Sequence, residues 1–324
     1  MDKSEFQGVF GIIPTPIKEN EDVDEEGLSA LIRHCADNGL HAAVVLGSNG
    51  DFPYFTCEEK NRIIRVAAEA AAGDIPVIAG ASALSTREAI SYAKAAKEAG
   101  CQAVMAALPV YWRLGVEEAK DHYRMLAEEG GLPVLFYYFP EVTSLVLSPE
   151  EIAEIAEIDG VHGAKITVMN RSFLKQTIKL TRTSLWSVFA GTSFLMRYTL
   201  KEGGAGVVCP LPIIAPKDCM DLYKAMADGD MDKASDLQDK LLRAIPIFSG
   251  ADIPHSVGGP YWKASTAKPY IGPPERPAST VALVKEALRL QGHPVNAKVR
   301  KPISPITPEQ SDLVKRALKD GGWL

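Results

Sequence analysis

The stretch AVMAALPVYWRLGVEEAKDHYRMLAEEGGLPVLFY, residues 103–137, decides the fold. It opens with a short apolar run, AVMAA at 103–107, crosses a proline-containing loop and continues as an amphipathic stretch over 116–129. Gly130 follows, and an apolar run returns as PVLFY at 133–137. Both runs are continuous rather than alternating apolar and polar, the pattern of strands covered on both faces. The stretch between them has helical spacing and ends on a glycine, the residue that most easily takes the left-handed conformation closing a helix. A strand, a helix and a second buried strand in this order make one unit of a parallel sheet.

Outward from this unit the same pattern recurs along the chain. Strand-like runs lie at 9–13, 42–46, 76–79, 103–107, 133–137, 161–166, 187–190 and 205–209. Helix-like stretches follow them at 25–38, 57–72, 86–99, 116–129, 149–157, 170–182, 193–202 and 216–227. Thr56 with Glu59, Ser85 with Glu88, and Ser148 before Pro149 are helix-start signals. Eight consecutive strand–helix units imply an α/β fold of the closed (β/α)8 TIM barrel type. An open doubly wound sheet is the alternative; no GxGxxG follows the first strand, and the count of eight favours closure. After residue 229 the alternation stops. Helical patterns remain at 230–248, 278–291 and 308–320, with a Gly/Pro-rich, aromatic passage at 249–277 that reads as ordered irregular structure. The expected organisation is a catalytic barrel over 1–229 and a C-terminal helical domain over 230–324.

The length of 324 residues suits one barrel of about 250 residues plus such an addition. A net charge of -6 offers no basic footprint for nucleic acid or an anionic membrane surface. No run approaches the ~18 apolar residues of a membrane span, and the N-terminal MDKSEFQGVFGIIPTP has no signal-peptide core. Five cysteines, Cys35, Cys57, Cys101, Cys209 and Cys219, form no CxxC pair, which suits reduced thiols and a cytoplasmic location. The six histidines show no HxH, HxxxH or HExxH spacing, so no metal site is expected.

In a barrel of this type reactive groups gather where strands end at the C-terminal face. Lys165, in GVHGAKITV at the end of the sixth run, is one candidate. Burying a charged amine is costly, and a neutral amine is a nucleophile; from position alone, a lysine reaching solvent is the commoner case. Tyr137, in VLFYYFP at the end of the fifth run, can shuttle protons, although an aromatic run such as Phe136–Phe139 is commonly packing. The turn GSNGD, 47–51, can present backbone N–H groups and the Ser48 and Asn49 side chains to a carboxylate, and is also ordinary turn composition. Tyr111, in LPVYWRLG, can extend a proton relay or simply sit beside Trp112 on the surface.

Taken in order, these segments carry a resemblance. From VFGIIPTPIKENEDVDEEGLSALI through GSNGD, PVIAG, LPVY, LFYYFP and GAKI to the C-terminal PYWKA, the chain resembles the dihydrodipicolinate synthase/N-acetylneuraminate lyase family of class I aldolases and lyases. The resemblance implies that Lys165 forms an imine with a 2-oxo acid such as pyruvate, without metal or organic cofactor. It implies that Tyr137, of the Y-x-x-P motif, is general acid/base and that Ser48 is the hydroxyl of the proton relay. The substrate-binding set it implies is Gly47, Ser48, Asn49, Gly50, Gly191 and Val208. Tyr111 matches a relay tyrosine that many members donate across a dimer interface, which implies a homo-oligomer, a dimer or more commonly a tetramer. The partner substrate would be an aldehyde.

Departures narrow the analogy. Val142 stands where dihydrodipicolinate-forming members carry an arginine for a second carboxylate, Asp51 replaces the more frequent glutamate, and Ile166 follows the lysine where an acidic residue is common. Tyr138 and Phe139 are expected to make the pocket wall bulky and apolar. GSNGDFPYFT is similar to the corresponding turn of 4-hydroxy-2-oxoglutarate aldolases. The expected chemistry is C–C bond cleavage or formation through the imine. A sugar-acid dehydratase or a hydratase-aldolase on the same imine, and a non-catalytic carboxylate-binding barrel, are its rivals.

Overall fold

In the computed structural model of the chain, which describes residues 6–182, 186–251 and 279–324, the eight runs form a closed barrel in sequence order. The strands are β1 (Gly8–Ile12), β2 (Ala42–Val45), β3 (Val77–Gly80), β4 (Ala103–Ala107), β5 (Val134–Tyr138), β6 (Val161–Ile166), β7 (Ser187–Ala190) and β8 (Gly206–Cys209). Each pairs in parallel with the next, and β8 closes onto β1 with Gly206 opposite Gly8. That closure needs glycine. Gly206 has φ of 146°, and a Cβ there would lie 1.9 Å from the Gly8 carbonyl oxygen.

Nearly every strand residue is buried, but alternate residues enter two different cores. Phe10, Ile12, Val44, Ile78, Met105, Leu135, Tyr137, Phe189 and Val208 fill the barrel interior. Val9, Val45, Ala79, Ala106, Phe136, Tyr138, Ala164 and Ile166 face outward against the surrounding helices. Phe136 lies between the Tyr123 and Tyr138 rings, and the Tyr123 hydroxyl donates to the Ala106 carbonyl at 3.0 Å. Full burial of each such side chain is worth roughly 1.5–3 kcal/mol.

The helix starts anticipated at Thr56, Ser85 and Ser148 are N-caps, those at Thr56 and Ser148 as reciprocal capping boxes with Glu59 and Glu151. Two expected helices are modified. The 230–248 stretch is two helices, Met231–Leu242 and Ile245–Ser249, because Pro246 has no N–H and its ring clashes with the carbonyl four residues back. The 193–202 stretch opens as a tight 3₁₀ turn, Ser193–Leu195, before the helix Met196–Lys201.

The last two helices, Thr280–Leu290 and Pro308–Gly321, pack with Ile245–Ser249 beside the barrel. The segment between them is bound to the loop after β1. Asn296 donates to the Ile17 carbonyl at 2.9 Å, Lys298 bonds the Glu19 carbonyl, and Arg300 forks onto the Glu59 carboxylate over the Phe55 ring. The PYWKA segment and most of the 249–277 passage lie outside the described residues. All five cysteines are free thiols, Cys57 exposed and the others buried. No helix among the described residues is long and apolar enough to cross a membrane.

Candidate active site

Strand register brings the two principal residues together. Tyr137 of β5 is paired directly with Lys165 of β6, and Lys165 in turn with Phe189 of β7. A register shift between Val134 and Leu135 makes His162 the extra residue of β6. From Gly163 onward, Lys165 shares the inner face with Tyr137, while Ala164 and Ile166 turn outward. Lys165 is 2% and Tyr137 3% exposed. The Lys165 Nζ lies 4.0 Å from the centre of the Tyr137 ring.

The third member comes from the turn after β2. Ser48 Oγ donates to the Tyr137 hydroxyl at 3.3 Å. The turn is a single 3₁₀ turn, with Gly50 N bonded to the Gly47 carbonyl at 2.9 Å and Thr15 Oγ1 donating to the Gly50 carbonyl at 2.7 Å. Asp51 ends it in the left-handed region at φ of 58°, a conformation aspartate tolerates better than most residues.

Ser48, Asn49, Tyr137, Lys165 and Gly191 line one cavity of about 480 Å³ at the C-terminal ends of the strands. The rest of its wall comes from Phe139 and Glu141 after β5, Thr167 and Met169 after β6, and Thr192 and Phe194 after β7. Cys209 to Leu211 follow β8, and Phe248 and Ser279 to Val281 come from the C-terminal region. Gly191 has a steric reason. A Cβ there would lie 2.0 Å from Thr167 Oγ1 and 2.9 Å from Thr167 Cα. Thr167 Oγ1 is buried and has no hydrogen-bond partner among the described residues. Burial raises the Glu141 carboxyl above the ordinary carboxylate range.

The other expected residues lie elsewhere. Gly47 and Gly50 shape the turn without lining the cavity, and Val208 is fully buried in the barrel interior while its neighbour Cys209 reaches the wall. Tyr111 is 88% exposed with φ of 105°, beside the exposed Trp112 and outside the cavity. Tyr138 is not part of the wall, contrary to expectation: alternation along β5 turns it outward, where its hydroxyl donates to the Leu147 carbonyl at 3.1 Å. Phe139, one residue beyond, does line the cavity and stacks on Tyr137. Val142 faces a second, larger hollow of about 970 Å³ on the other side of Ser48, which contains neither Lys165 nor Tyr137. Among the described residues no three His, Cys, Asp or Glu side chains are grouped to hold a metal ion.

One buried contact beside the turn went unread in the sequence. Asp51 pairs with Lys285, 3.1 Å apart, both essentially sealed from solvent. The available signal was a lysine inside an otherwise apolar helical stretch, TVALVKEALRL, in which Val281 to Leu288 are all buried.

This arrangement, a buried amine against a phenol that is hydrogen-bonded to a serine in a glycine-flanked turn, is suited to adding an amine to a carbonyl and moving the protons that follow. The family model described as the dihydrodipicolinate synthetase family matches residues 5–257. A 4-hydroxy-tetrahydrodipicolinate synthase of Syntrophus aciditrophicus is 30% identical over 319 residues, covering 98% of this chain and 99% of that protein. An uncharacterised DapA-like lyase of Halobacterium salinarum is 32% identical over 230 residues, covering 70% and 75% respectively. The crystal structure of YagE, a prophage protein of E. coli K12 in complex with pyruvate, superposes with a TM-score of 0.86 at 26% identity, covering 98% and 99% of the two chains. The barrel, its register and these matches together place the chain, an enzyme of the aldolase and lyase type, in the dihydrodipicolinate synthetase family.

Proposed function

We propose that the protein is a Schiff-base lyase that cleaves or forms a C–C bond next to a 2-oxo acid, with pyruvate as the imine-forming partner. The observation that carries this reading is the Lys165 amine lying 4.0 Å from the Tyr137 ring, whose hydroxyl accepts from Ser48. The pyruvate bound in the related YagE structure supports the same substrate class here. The substrate carboxylate rests on the 47–50 turn, and the Lys165 Nζ attacks the C2 carbonyl. Tyr137 and Ser48 pass the protons that convert the carbinolamine to the imine, releasing water. In the cleavage direction the imine is that of a 4-hydroxy-2-oxo acid: Tyr137 takes the C4 hydroxyl proton, the C3–C4 electron pair flows into the imine, an aldehyde departs, and protonation at C3 and hydrolysis return pyruvate and the free lysine. The wall contributed by Phe139, Met169, Phe194, Leu211 and Phe248 favours an aldehyde with an apolar or aromatic substituent, which supports the hydratase-aldolase variant over a sugar-acid dehydratase.

The working unit in this reading is a homo-oligomer, a dimer or tetramer, in a reducing cytoplasmic setting that suits five free thiols. Leu84, Val110, Tyr111 and Trp112 are exposed large apolar side chains, a surface suited to burial against a second copy that receives Tyr111. The decisive experiment is borohydride trapping with pyruvate followed by peptide mass spectrometry, with Lys165→Ala as control. An adduct confined to Lys165 supports the lyase; no adduct with pyruvate or longer 2-oxo acids makes a carboxylate-binding barrel the better reading. A panel of aliphatic, aromatic and polyhydroxylated aldehydes then distinguishes the partner.

A further inference from the structure

We infer that the buried Asp51–Lys285 ion pair positions the carboxylate-binding turn, making the C-terminal helix Thr280–Leu290 a working part of the substrate site. The inference rests on the reading of the 47–50 turn given above.

The turn has two anchors. From the barrel side, Thr15 Oγ1 holds the Gly50 carbonyl at 2.7 Å. From the C-terminal side, the Lys285 Nζ holds Asp51 Oδ2 at 3.1 Å and the Lys298 carbonyl at 2.9 Å. Lys298 itself bonds the loop after β1. Asp51 also ends the turn through its backbone: its N–H donates to the Ser48 carbonyl at 3.3 Å, and its carbonyl accepts from Tyr54 N at 3.0 Å. Its left-handed conformation, φ of 58°, persists only where the surroundings hold it. A pull on the Asp51 carboxylate therefore acts on Ser48 and Asn49, three and two residues away, which line the cavity. The same helix brings Ser279, Thr280 and Val281 to the cavity wall, so one element both sets the turn and closes over the ligand.

The pair is an expensive way merely to fasten a helix. Lys285 is 1% and Asp51 2% exposed, and Asp51 Oδ1 has no hydrogen-bond partner among the described residues. Burial drives the carboxyl up and the ammonium down, each partner pulling the other back. A buried ion pair is often no more stabilising than apolar residues of the same size. What it supplies is one geometry, because a slipped turn would leave an unpaired charge in a dry interior.

Lys285→Met alone strands a buried carboxylate and can impair folding, so the decisive variant is Asp51→Asn/Lys285→Met. It removes both charges, and asparagine tolerates the left-handed region at least as well as aspartate. Hydrogen exchange at the Gly50, Asp51 and Tyr54 amides, without ligand, is compared with exchange in β6. Positioning by the pair requires the turn amides to exchange at least about tenfold faster while β6 is unchanged. It also requires the pyruvate concentration giving half-maximal borohydride trapping to rise about tenfold, with the trapping rate at saturation falling much less. A folded double variant with wild-type turn exchange and wild-type half-saturation overturns the inference. If the wild-type protein traps no 2-oxo acid, the lyase reading fails and the exchange comparison alone decides whether the pair holds the turn.

Discussion

Tyr137 and Lys165 are register partners on adjacent strands, and the lysine Nζ sits 4.0 Å above the centre of the tyrosine ring. The same ring stacks on Phe139 and its hydroxyl accepts from Ser48. One residue therefore shapes the lysine's surroundings with its ring and connects to the turn after β2 with its oxygen.

Tyr137→Phe separates the two roles. The ring and its packing remain and only the oxygen is lost. Turnover is expected to fall by about 10²–10⁴-fold, the range for a positioned general acid/base, with the melting temperature nearly unchanged. Steady-state kinetics and calorimetry on the same preparation check this, and full activity would remove Tyr137 from the relay.

Phe136→Ala should do the reverse. Phe136 points outward and is completely buried between Tyr123 and Tyr138. Its truncation is expected to cost about 3–5 kcal/mol in urea unfolding, with KM and kcat of the folded fraction close to wild type. Two neighbouring aromatic residues of one strand would thus fail in opposite ways.

Gly191→Ala tests the cavity floor. Rotation of Thr167 can relieve the 2.0 Å approach to its Oγ1, but the 2.9 Å approach to its Cα involves backbone. Pyruvate binding is expected to weaken, read as lower trapping at subsaturating pyruvate. Stability should fall by about 1–3 kcal/mol, and Thr167→Ala in the same chain should recover only part of both losses.

His122 gives a pH signature distant from the cavity. Burial lowers its pKa from 6.5 to about 4, and its Nδ1 lies 2.9 Å from Thr86 Oγ1. The unfolded chain therefore takes up a proton first as the pH falls. The stability contributed by the neutral ring is complete above about 6.5 and is lost progressively down to about 4, by about 3 kcal/mol in all. Urea titrations across this range should show the loss in the wild-type protein and a flatter profile in His122→Phe; parallel profiles would assign the dependence to other groups.

Much of the architecture was legible in the chain. Continuous apolar runs of four to six residues separated by amphipathic stretches identify buried parallel strands and their helices, and caps such as Thr56 and Ser148 mark helix starts within a residue or two. Lys165, Tyr137, Ser48 and Asn49 were legible as candidates because their order resembles a known family; taken singly, each had an ordinary structural reading. Glu141, Thr167 and Phe248 were not legible, since loops and helices of four or five residues carry too little periodicity to tell which way a side chain faces. The single 230–248 helix was misjudged because its apolar spacing outweighed the one residue, Pro246, that ends it.

The amino-acid sequence alone determined the number and order of the strand–helix units and singled out a lysine and a tyrosine at strand ends as candidates, because local periodicity and residue type are properties of neighbours along the chain. Which face of each strand enters the barrel was decided only by tertiary structure. With every β5 position apolar or aromatic, Phe136, Tyr137 and Tyr138 are equivalent until closure and the β6 register shift assign Tyr137 to the interior beside Lys165. The Asp51–Lys285 pair belongs to the same class: its partners are 234 residues apart, and only the folded chain, by excluding water from both, makes them depend on each other.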